Sequence, residues 1–278
     1  MRPPPVMTSS PPSEAAELPL DGGNQSTVVK VGSTVRRTAG AWTPQVHRLL
    51  GHLRQQGVQE VPRVIGMDEA GREVLSHLPG TVGHAPLPET LRDDTLLEQA
   101  ARLLRRLHDA TASVAPTWRE GWQAPLREPV EVVCHGDFAP YNCVFQDDRL
   151  TGVIDFDHAH PGPRAWDLAY AAYRFAPLMA TGNPEHRGTV TEQARRLHCF
   201  LAAYGPFDPT GFVDILAARV QAMADHLLTG AAGGDERLKR LVERGDAALY
   251  EADRAHIEAH RDAFEVALPN GAQVRRGN

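Results

Sequence analysis

The feature that most constrains this chain is a polar segment that runs directly into a β-hairpin pattern, within residues 133–156. The segment VCHGDFAPYN ends at Asn142, and a strand-like CVF follows it. After an Asp-Asp turn the chain continues as LTGVIDF, which contains Asp155. Two antiparallel strands joined by a tight turn bring the residue before the first strand close to the residue that ends the second. We therefore expect Asn142 and Asp155 to meet at the open end of one hairpin.

These side chains suit a magnesium–phosphate site. An amide oxygen and a carboxylate are hard oxygen ligands of the kind that Mg²⁺ takes, and the ion keeps room for water and phosphates. Asp137 lies in the loop just before Asn142, between Gly136 and Pro140. A loop carboxylate near such a site can orient a substrate hydroxyl, or accept its proton, for in-line attack on phosphorus.

HGDFAPYN followed by IDFD resembles the catalytic and metal-binding pair of the aminoglycoside phosphotransferase and choline kinase superfamily, which has a protein-kinase-like fold. The resemblance extends to RAWDLAY, which is similar to the helix start that follows the metal Asp in this family, and to LLRRLH, which looks like the helix preceding the catalytic loop. It implies a kinase that uses ATP and Mg²⁺ and acts on a hydroxyl group of a small molecule. It also implies that Asp137 is the catalytic residue and that Asn142 and Asp155 are the metal ligands.

The order of elements along the chain predicts an α+β protein with two lobes. A small β-rich N-lobe that binds the nucleotide is expected over residues 18–80, and a larger helical C-lobe that carries catalysis and the substrate over residues 81–268. Residues 1–17 are rich in Pro and Ser and read as a disordered tail, and residues 269–278 read as a C-terminal tail. The break at Leu78-Pro79-Gly80 is the predicted hinge between the lobes.

Helix signals are clear at several points. Thr43 is the predicted cap of a helix with Pro44 in its first turn, and an apolar stripe at helical spacing follows as far as Gly57. Asp93 or Asp94 is expected to begin a long amphipathic helix. Near the C-terminus a long helical pattern starts at Glu236, and a glycine, Gly245, is placed to divide it.

The phosphate-binding part of the predicted N-lobe is less sharply defined. Gly22 and Gly23 could form the loop that covers the phosphates, although glycine pairs are equally common in plain hairpins. The family pattern places a cation late in the strand TVRR, which favours Arg37. Lys30 and Arg36 remain possible, and each of the three could equally be a solvated surface charge.

The adenine is expected against the backbone of the hinge, near Ser76, His77 and Leu78. The sequence departs from the family pattern in the helix of the N-lobe. The usual acidic partner of the strand cation is missing, because residues 45–56 contain no Asp or Glu. A neutral His47 near the expected place brings no negative charge. This gap keeps an alternative open, in which the chain is a nucleotide-binding pseudokinase with a regulatory role.

Other polar groups have plainer interpretations. His158 and His160 form an HxH that could suggest zinc, but no further Cys or His pair completes a tetrahedral set. Asp157 is a candidate for a supporting contact at the metal. Asp167 is expected to cap a helix rather than touch substrate, and the family resemblance suggests that an acid there braces the catalytic loop. The acids of the C-terminal helices alternate with bases, as on a solvated face.

Composition limits the partners of this chain. It has 278 residues and a net charge of −6, with no basic stripe, so nucleic-acid binding is not expected. No apolar run is long enough to span a bilayer. Three scattered cysteines form no disulfide framework, which favours a reducing cytoplasm. The expected partner is a small hydroxylated molecule, with choline, homoserine, an amino sugar and other metabolites all open.

Overall fold

The computed structural model describes residues 16–20, 28–84, 87–89 and 93–269. The chain divides into two compact units. The first consists of the residues up to Ala39 together with Val64–His77, and the second consists of Gly40–Arg63 and the chain from Leu78 onward. No helix within the described ranges is long and apolar enough to cross a membrane.

The first unit is an antiparallel sheet. Its strands are β1 (Glu17–Pro19), β2 (Val29–Val31), β3 (Thr34–Thr38), β4 (Val64–Met67) and β5 (Arg72–Ser76). Their order in the sheet is β1-β2-β3-β5-β4, so β3 pairs with β5, which follows it by way of β4. β2 and β3 form one hairpin, and β4 and β5 form another.

The second unit contains helix α1 (Thr43–Gln55), β6 (Thr81–Val82) and helix α2 (Asp94–Thr111). The segment that contains Asp137 and Asp155 follows, with strands β7 (Val132–Cys134), β8 (Cys143–Gln146), β9 (Arg149–Val153) and β10 (His160–Gly162). The remaining helices are α3 (Arg164–Phe175), α4 (Val190–Tyr204), α5 (Phe212–Ala232), α6 (Glu236–Arg244), α7 (Asp246–Ala259) and α8 (Arg261–Val266). β6, β8 and β9 form one small sheet and β7 pairs with β10 in another.

The grouping of α1 differs from the predicted linear boundary. The sequence places this helix in the N-lobe of residues 18–80, whereas in the structure it belongs to the second unit. Its apolar stripe is buried, and His52 bonds the carbonyl oxygen of Ala110 on α2 at 2.8 Å. The chain passes from the first unit to the second between His77 and Leu78.

Two predictions about helix ends have different outcomes. The prediction that Thr43 caps α1 is wrong: Trp42 occupies the cap position, and the Thr43 hydroxyl instead accepts a hydrogen bond from the Gly40 backbone N–H at 2.9 Å. Asp93 does cap α2, through a bond from the Thr95 N–H. The long C-terminal helical pattern is divided at Gly245, as predicted, because this residue has a φ of 98°.

The helical core of the second unit is built on α3 and α5. The first of these helices is almost entirely buried, and three consecutive residues on it, Leu168, Ala169 and Tyr170, have no exposed surface. The segment that runs from β7 to β10 packs beside this core. A rigid helical base therefore supports the loop that carries Asp137.

Candidate active site

The loop after β7 makes a tight turn at Gly136. This residue has a φ of 81°, and a Cβ atom at this position would lie 2.2 Å from the His158 carbonyl oxygen. A side chain cannot be accommodated so close to backbone, so the turn requires glycine. It is this close approach that brings Asp137 beside the segment following β9.

Asp137 is held through both carboxylate oxygens. The Asn142 side-chain amide donates to Oδ2 at 2.9 Å and to the Asp137 carbonyl oxygen, also at 2.9 Å. The Tyr141 hydroxyl donates to Oδ1 at 2.6 Å. Both donors come from one short 3₁₀ turn, Pro140–Asn142. The carboxylate plane is therefore fixed by the residues that immediately precede β8.

Asp155 lies where the sequence placed it, at the open end of the β8–β9 hairpin. Cys143 pairs with Val153 across the two strands, and the next N–H, that of Ile154, donates to the Asn142 carbonyl oxygen at 2.9 Å. The backbone at Asp155 is left-handed, with a φ of 63°. Such a conformation is uncommon for a residue with a side chain and tends to be retained where function needs it.

The residues at this end fit a magnesium ion in their donor chemistry. Because the Asn142 amide nitrogen is committed to Asp137, its amide oxygen is the atom left for a cation. The second oxygen ligand would be the Asp155 carboxylate. Hard oxygen donors of this kind, few in number, are typical of Mg²⁺ that also binds phosphates and water.

Asp167 supports the loop that carries Asp137 through buried hydrogen bonds. It is completely buried and accepts hydrogen bonds from the backbone N–H groups of His135 (2.7 Å) and Gly136 (2.9 Å). The imidazole of His108 donates to it at 3.0 Å. Because α3 already begins at Arg164, the prediction that Asp167 caps this helix is wrong, and the bracing role suggested by the family resemblance is the one observed.

The electrostatics of Asp167 follow from these contacts. Burial by itself would raise the pKa of this carboxyl, but the hydrogen bond from His108 and those from the backbone N–H groups outweigh it. The pKa of Asp167 is consequently held well below its usual value, so the carboxylate stays ionised in the core.

His135 is a structural residue of the loop. Its Nε2 donates to the Ile154 carbonyl oxygen at 3.1 Å, so Nδ1 accepts from the Asp137 N–H at 3.3 Å. Burial lowers the pKa of His135, which keeps the ring neutral and consistent with one donor and one acceptor. The ring thus ties the loop to the segment just before Asp155.

In the first unit, Arg37 has a partner that the sequence did not reveal. Its Nε donates to Glu73 at 2.6 Å, and the Glu73 side chain is only 1% exposed. The two residues lie directly opposite each other in the β3–β5 register. The acid missing from the helix is therefore supplied by a neighbouring strand. Arg36 points to a different acid, Asp68, at 3.7 Å.

The other nucleotide candidates stay predictions. Gly22 and Gly23 lie outside the described residues. Ser76 ends β5 opposite Thr34, and the His77 N–H donates to the Ser33 carbonyl oxygen at 2.9 Å. Partial burial, followed by the charge of Lys30, lowers the pKa of His77. In the second unit, the Leu78 side chain packs closely on Gly152. A Cβ atom added to Gly152 would lie 2.5 Å from the Leu78 side chain.

The HxH pair has a backbone role. His160 is buried and its Nδ1 bonds the His158 carbonyl oxygen at 2.9 Å. Across the described part of the chain, no group of three or more His, Cys, Asp or Glu side chains is arranged to hold a metal ion. In the C-terminal helices, the buried Asp253 accepts from the Tyr173 hydroxyl and from Asn183, both at 2.7 Å or less, which is a structural role.

Known proteins resemble this chain over most of its length. Residues 19–131 and 118–212 match the family described as APH, the phosphotransferase enzyme family. The trifolitoxin immunity protein of Rhizobium leguminosarum bv. trifolii is 37% identical over 210 residues, which cover 72% of this chain and 79% of that protein.

Solved structures share the fold. An amicoumacin kinase in complex with AMP-PNP, Ca²⁺ and its ligand superposes with a TM-score of 0.63 at 14% identity, covering 90% of this chain and 89% of that one. The GDP and kanamycin complex of APH(2")-IIIa gives a TM-score of 0.59 at 17% identity, covering 87% and 94%. These matches confirm the protein-kinase-like fold class. The family match over residues 19–212 shows that the chain belongs to the phosphotransferase enzyme family.

Proposed function

We propose that this protein transfers the γ-phosphoryl group of ATP to a hydroxyl group of a small molecule, in a reaction that needs Mg²⁺. The observation that carries the proposal is the fixed Asp137 carboxylate, held by Tyr141 and Asn142 at the open end of the hairpin that leads to Asp155. A rigidly oriented carboxylate beside a pair of oxygen ligands is what phosphoryl transfer needs, because its catalysis is mostly positioning and charge stabilisation.

The residues divide the work as follows. Asn142 and Asp155 would hold the magnesium ion, which when bound neutralises the phosphate oxygens and orients them. Asp137 accepts the hydrogen bond of the acceptor hydroxyl and directs its oxygen at the γ-phosphorus. As the new oxygen–phosphorus bond forms, the bond to the nucleoside diphosphate breaks, and the hydroxyl proton passes to Asp137. Arg37 contacts the phosphates.

The ion pair of the first unit argues against the pseudokinase alternative. That alternative depended on the missing helix acid, and Glu73 supplies a buried carboxylate to Arg37. A guanidinium held in this way keeps a defined orientation and can present its remaining N–H groups to phosphate oxygens. Gly22 and Gly23 would cover the phosphates, and the backbone around Ser76, His77 and Leu78 would bind the adenine.

A second, narrower candidate concerns the acceptor. The 37% identity to a protein named for immunity to trifolitoxin favours a toxic compound as the molecule that is phosphorylated. In that case the protein would protect the cell that expresses the protein against the toxic compound. Expression in a sensitive host, with Asp137→Asn as the inactive control, tests this candidate against a panel of hydroxylated antibiotics and of ordinary metabolites such as choline and homoserine.

The main experiment measures thermal stability and turnover with ATP, with and without Mg²⁺. A ligand present at 100 times its Kd adds about 2.7 kcal/mol to the free energy of unfolding, which is easily detected. Asp155→Asn should remove the Mg²⁺-dependent part of this shift and lower kcat by about 10³-fold, since a metal ligand is lost. Asparagine tolerates the left-handed backbone of this position, so the fold should survive.

The matched control is Asp148→Asn, at the exposed turn of the same hairpin, where φ is 56°. It removes the same charge from the opposite end and should leave both readouts unchanged. Turnover by Asp155→Asn close to that of the wild type would contradict the metal assignment. If saturating ATP or GTP with Mg²⁺ gave no shift in the wild type, the proposal of a phosphotransferase would fail.

A further inference from the structure

The Tyr141 hydroxyl makes the shortest hydrogen bond to Asp137, yet neither the predicted site nor the phosphoryl-transfer scheme assigns it a role. Tyr141 lies immediately before Asn142, so one 3₁₀ turn delivers a phenol to Oδ1 and an amide to Oδ2 of the same carboxylate. The Oδ1 contact, at 2.6 Å, has the length of a hydrogen bond to an ionised oxygen.

The Tyr141 hydroxyl is itself hydrogen-bonded to a second phenol. It lies 2.8 Å from the hydroxyl of Tyr170 on α3. A phenol has one proton to donate, and that of Tyr141 goes to the carboxylate. Tyr170 must therefore donate to Tyr141, so the pair of hydroxyls is directed from α3 toward Asp137.

Tyr170 is wholly enclosed by the protein. It has no exposed surface, and burial raises its pKa well above the usual range for tyrosine. Its hydroxyl is therefore a neutral donor to Tyr141.

Two buried guanidinium groups hold the rings in place. Arg174 lies 5.1 Å from the centroid of the Tyr141 ring and is itself fixed by both carboxylate oxygens of Glu185, at 2.9 and 3.0 Å. Arg219 lies 4.2 Å from the Tyr170 ring and donates to the Gly136 carbonyl oxygen at 2.7 Å. The cation above each ring restrains its tilt, and Arg219 also ties Tyr170 to the residue just before Asp137.

From this arrangement we infer that Tyr141 is a positioning residue for Asp137, with Tyr170 as its support. By occupying one lone pair of Oδ1, Tyr141 prevents the carboxylate from rotating and leaves its other lone pairs to the acceptor hydroxyl. Misplacement of a reacting group by a fraction of an ångström is costly to the rate, so loss of this bond should affect turnover more than binding. The inference rests on the proposed function.

The test uses phenylalanine substitutions, which remove only the hydroxyl and leave the ring beneath its guanidinium. The assay is Mg²⁺-dependent ATP hydrolysis with water as the acceptor, with kcat and KM for ATP measured separately. Tyr141→Phe should lower kcat about tenfold while the KM for ATP stays within about twofold, since Asp137 contacts the acceptor and not the nucleotide. Tyr170→Phe should lower kcat less.

Tyr173→Phe is the matched control. Tyr173 is equally buried, lies on the same helix as Tyr170, and donates its hydroxyl proton to Asp253 at 2.6 Å, away from Asp137. It should lower the thermal midpoint and leave kcat per folded molecule within about twofold of wild type.

Each result decides a different point. A Tyr141→Phe protein with wild-type kcat would overturn the positioning role, and so would an equal loss of kcat in Tyr173→Phe. Either result would leave the phosphotransferase proposal intact, because the wild type would still be active. A wild-type protein that binds ATP and Mg²⁺ but turns over no ATP would overturn both proposals together.

Discussion

The segment from β7 to Asp155 in the second unit and the sheet of the first unit both bring polar side chains together, but by different means. In the segment from β7 to Asp155, Asp137, Asn142 and Asp155 come from one loop and one hairpin, and short-range turns bring them together. In the sheet, Arg37 meets Glu73 across a separation of 36 residues, through the register of β3 against β5. Polar groups that are close in sequence can be located from sequence, whereas those joined by register cannot.

The two regions also differ in how completely their buried acids are satisfied. Asp167 is wholly enclosed and accepts from two backbone N–H groups and an imidazole. Glu73 pairs with a guanidinium that is 12% exposed, so water still has some access to the pair. A buried charge costs most when its surroundings cannot relax. Substitution of Asp167 should therefore destabilise the fold more than substitution in the Arg37–Glu73 pair.

The largest expected effect is that of Asp167→Asn. The new amide NH₂ must face donors that now point at a carboxylate oxygen, which leaves buried N–H groups without an acceptor. We expect a loss of about 4 kcal/mol in the free energy of unfolding, measured by urea denaturation. The control Asp109→Asn, which is 48% exposed in its ion pairs, should cost less than about 1 kcal/mol. Equal effects would contradict the difference in burial.

Two glycines with similar backbone angles sharpen the comparison. Gly136→Ala places a methyl group 2.2 Å from the His158 carbonyl oxygen, whereas Gly32→Ala in the β2–β3 turn meets nothing within 4 Å. We expect a loss of about 3 kcal/mol for Gly136→Ala and about 1 kcal/mol for Gly32→Ala, since only the first adds a clash to the left-handed strain. Thermal denaturation of both variants checks this. Similar losses would mean that the loop around Gly136 shifts at little cost to accommodate the added methyl group.

Neighbouring arginines on β3 offer the matching test in the sheet. Arg37→Gln leaves the buried Glu73 without its cation, and we expect a loss of about 2 kcal/mol in the free energy of unfolding. If Arg37 contacts the phosphates as proposed, ATP should also bind about tenfold more weakly, as titration calorimetry can measure. Arg36→Gln disturbs the pair with Asp68, and it should lower neither the free energy of unfolding nor the affinity for ATP. A weaker affinity in Arg36→Gln alone would transfer the phosphate role to Arg36.

The smallest expected effect is a pH dependence of stability from Asp167. Its pKa is lowered in the folded state, so its contribution is complete above the unfolded pKa of about 3.9 and is lost as the pH falls below that value. About 1.2 kcal/mol should disappear between pH 5 and pH 3. Unfolding free energies of the wild type and of Asp167→Asn at both values check this, and the variant should show a shallower dependence.

Several elements could be predicted because their signals are local. The β8–β9 hairpin follows from alternation around an Asp-Asp turn, and both turn residues have the positive φ, 50° and 56°, that such a tight turn favours. Asp93 caps α2 and Gly245 divides the last helices for equally local reasons. The same holds for the loop that presents Asp137.

Other features left a weaker signal. Trp42 took the cap position expected for Thr43, because the Thr43 hydroxyl bonds backward to Gly40. The spacing HGDFAPYN shows that Tyr141 is near Asp137, but nothing in the sequence pairs it with Tyr170 or places Arg219 against Gly136. These contacts join segments that are far apart in the chain.

The sequence by itself determined the turn chemistry, the strand alternation and the helix periodicity. From these it indicated the family and the two kinds of region, and it predicted the trio Asp137, Asn142 and Asp155. Only the tertiary structure decided which acid neutralises Arg37, what lies beneath the catalytic loop, and that α1 belongs to the second unit. The physical reason is that backbone preferences act over a few residues, whereas register and burial depend on how the whole chain shares its apolar surface.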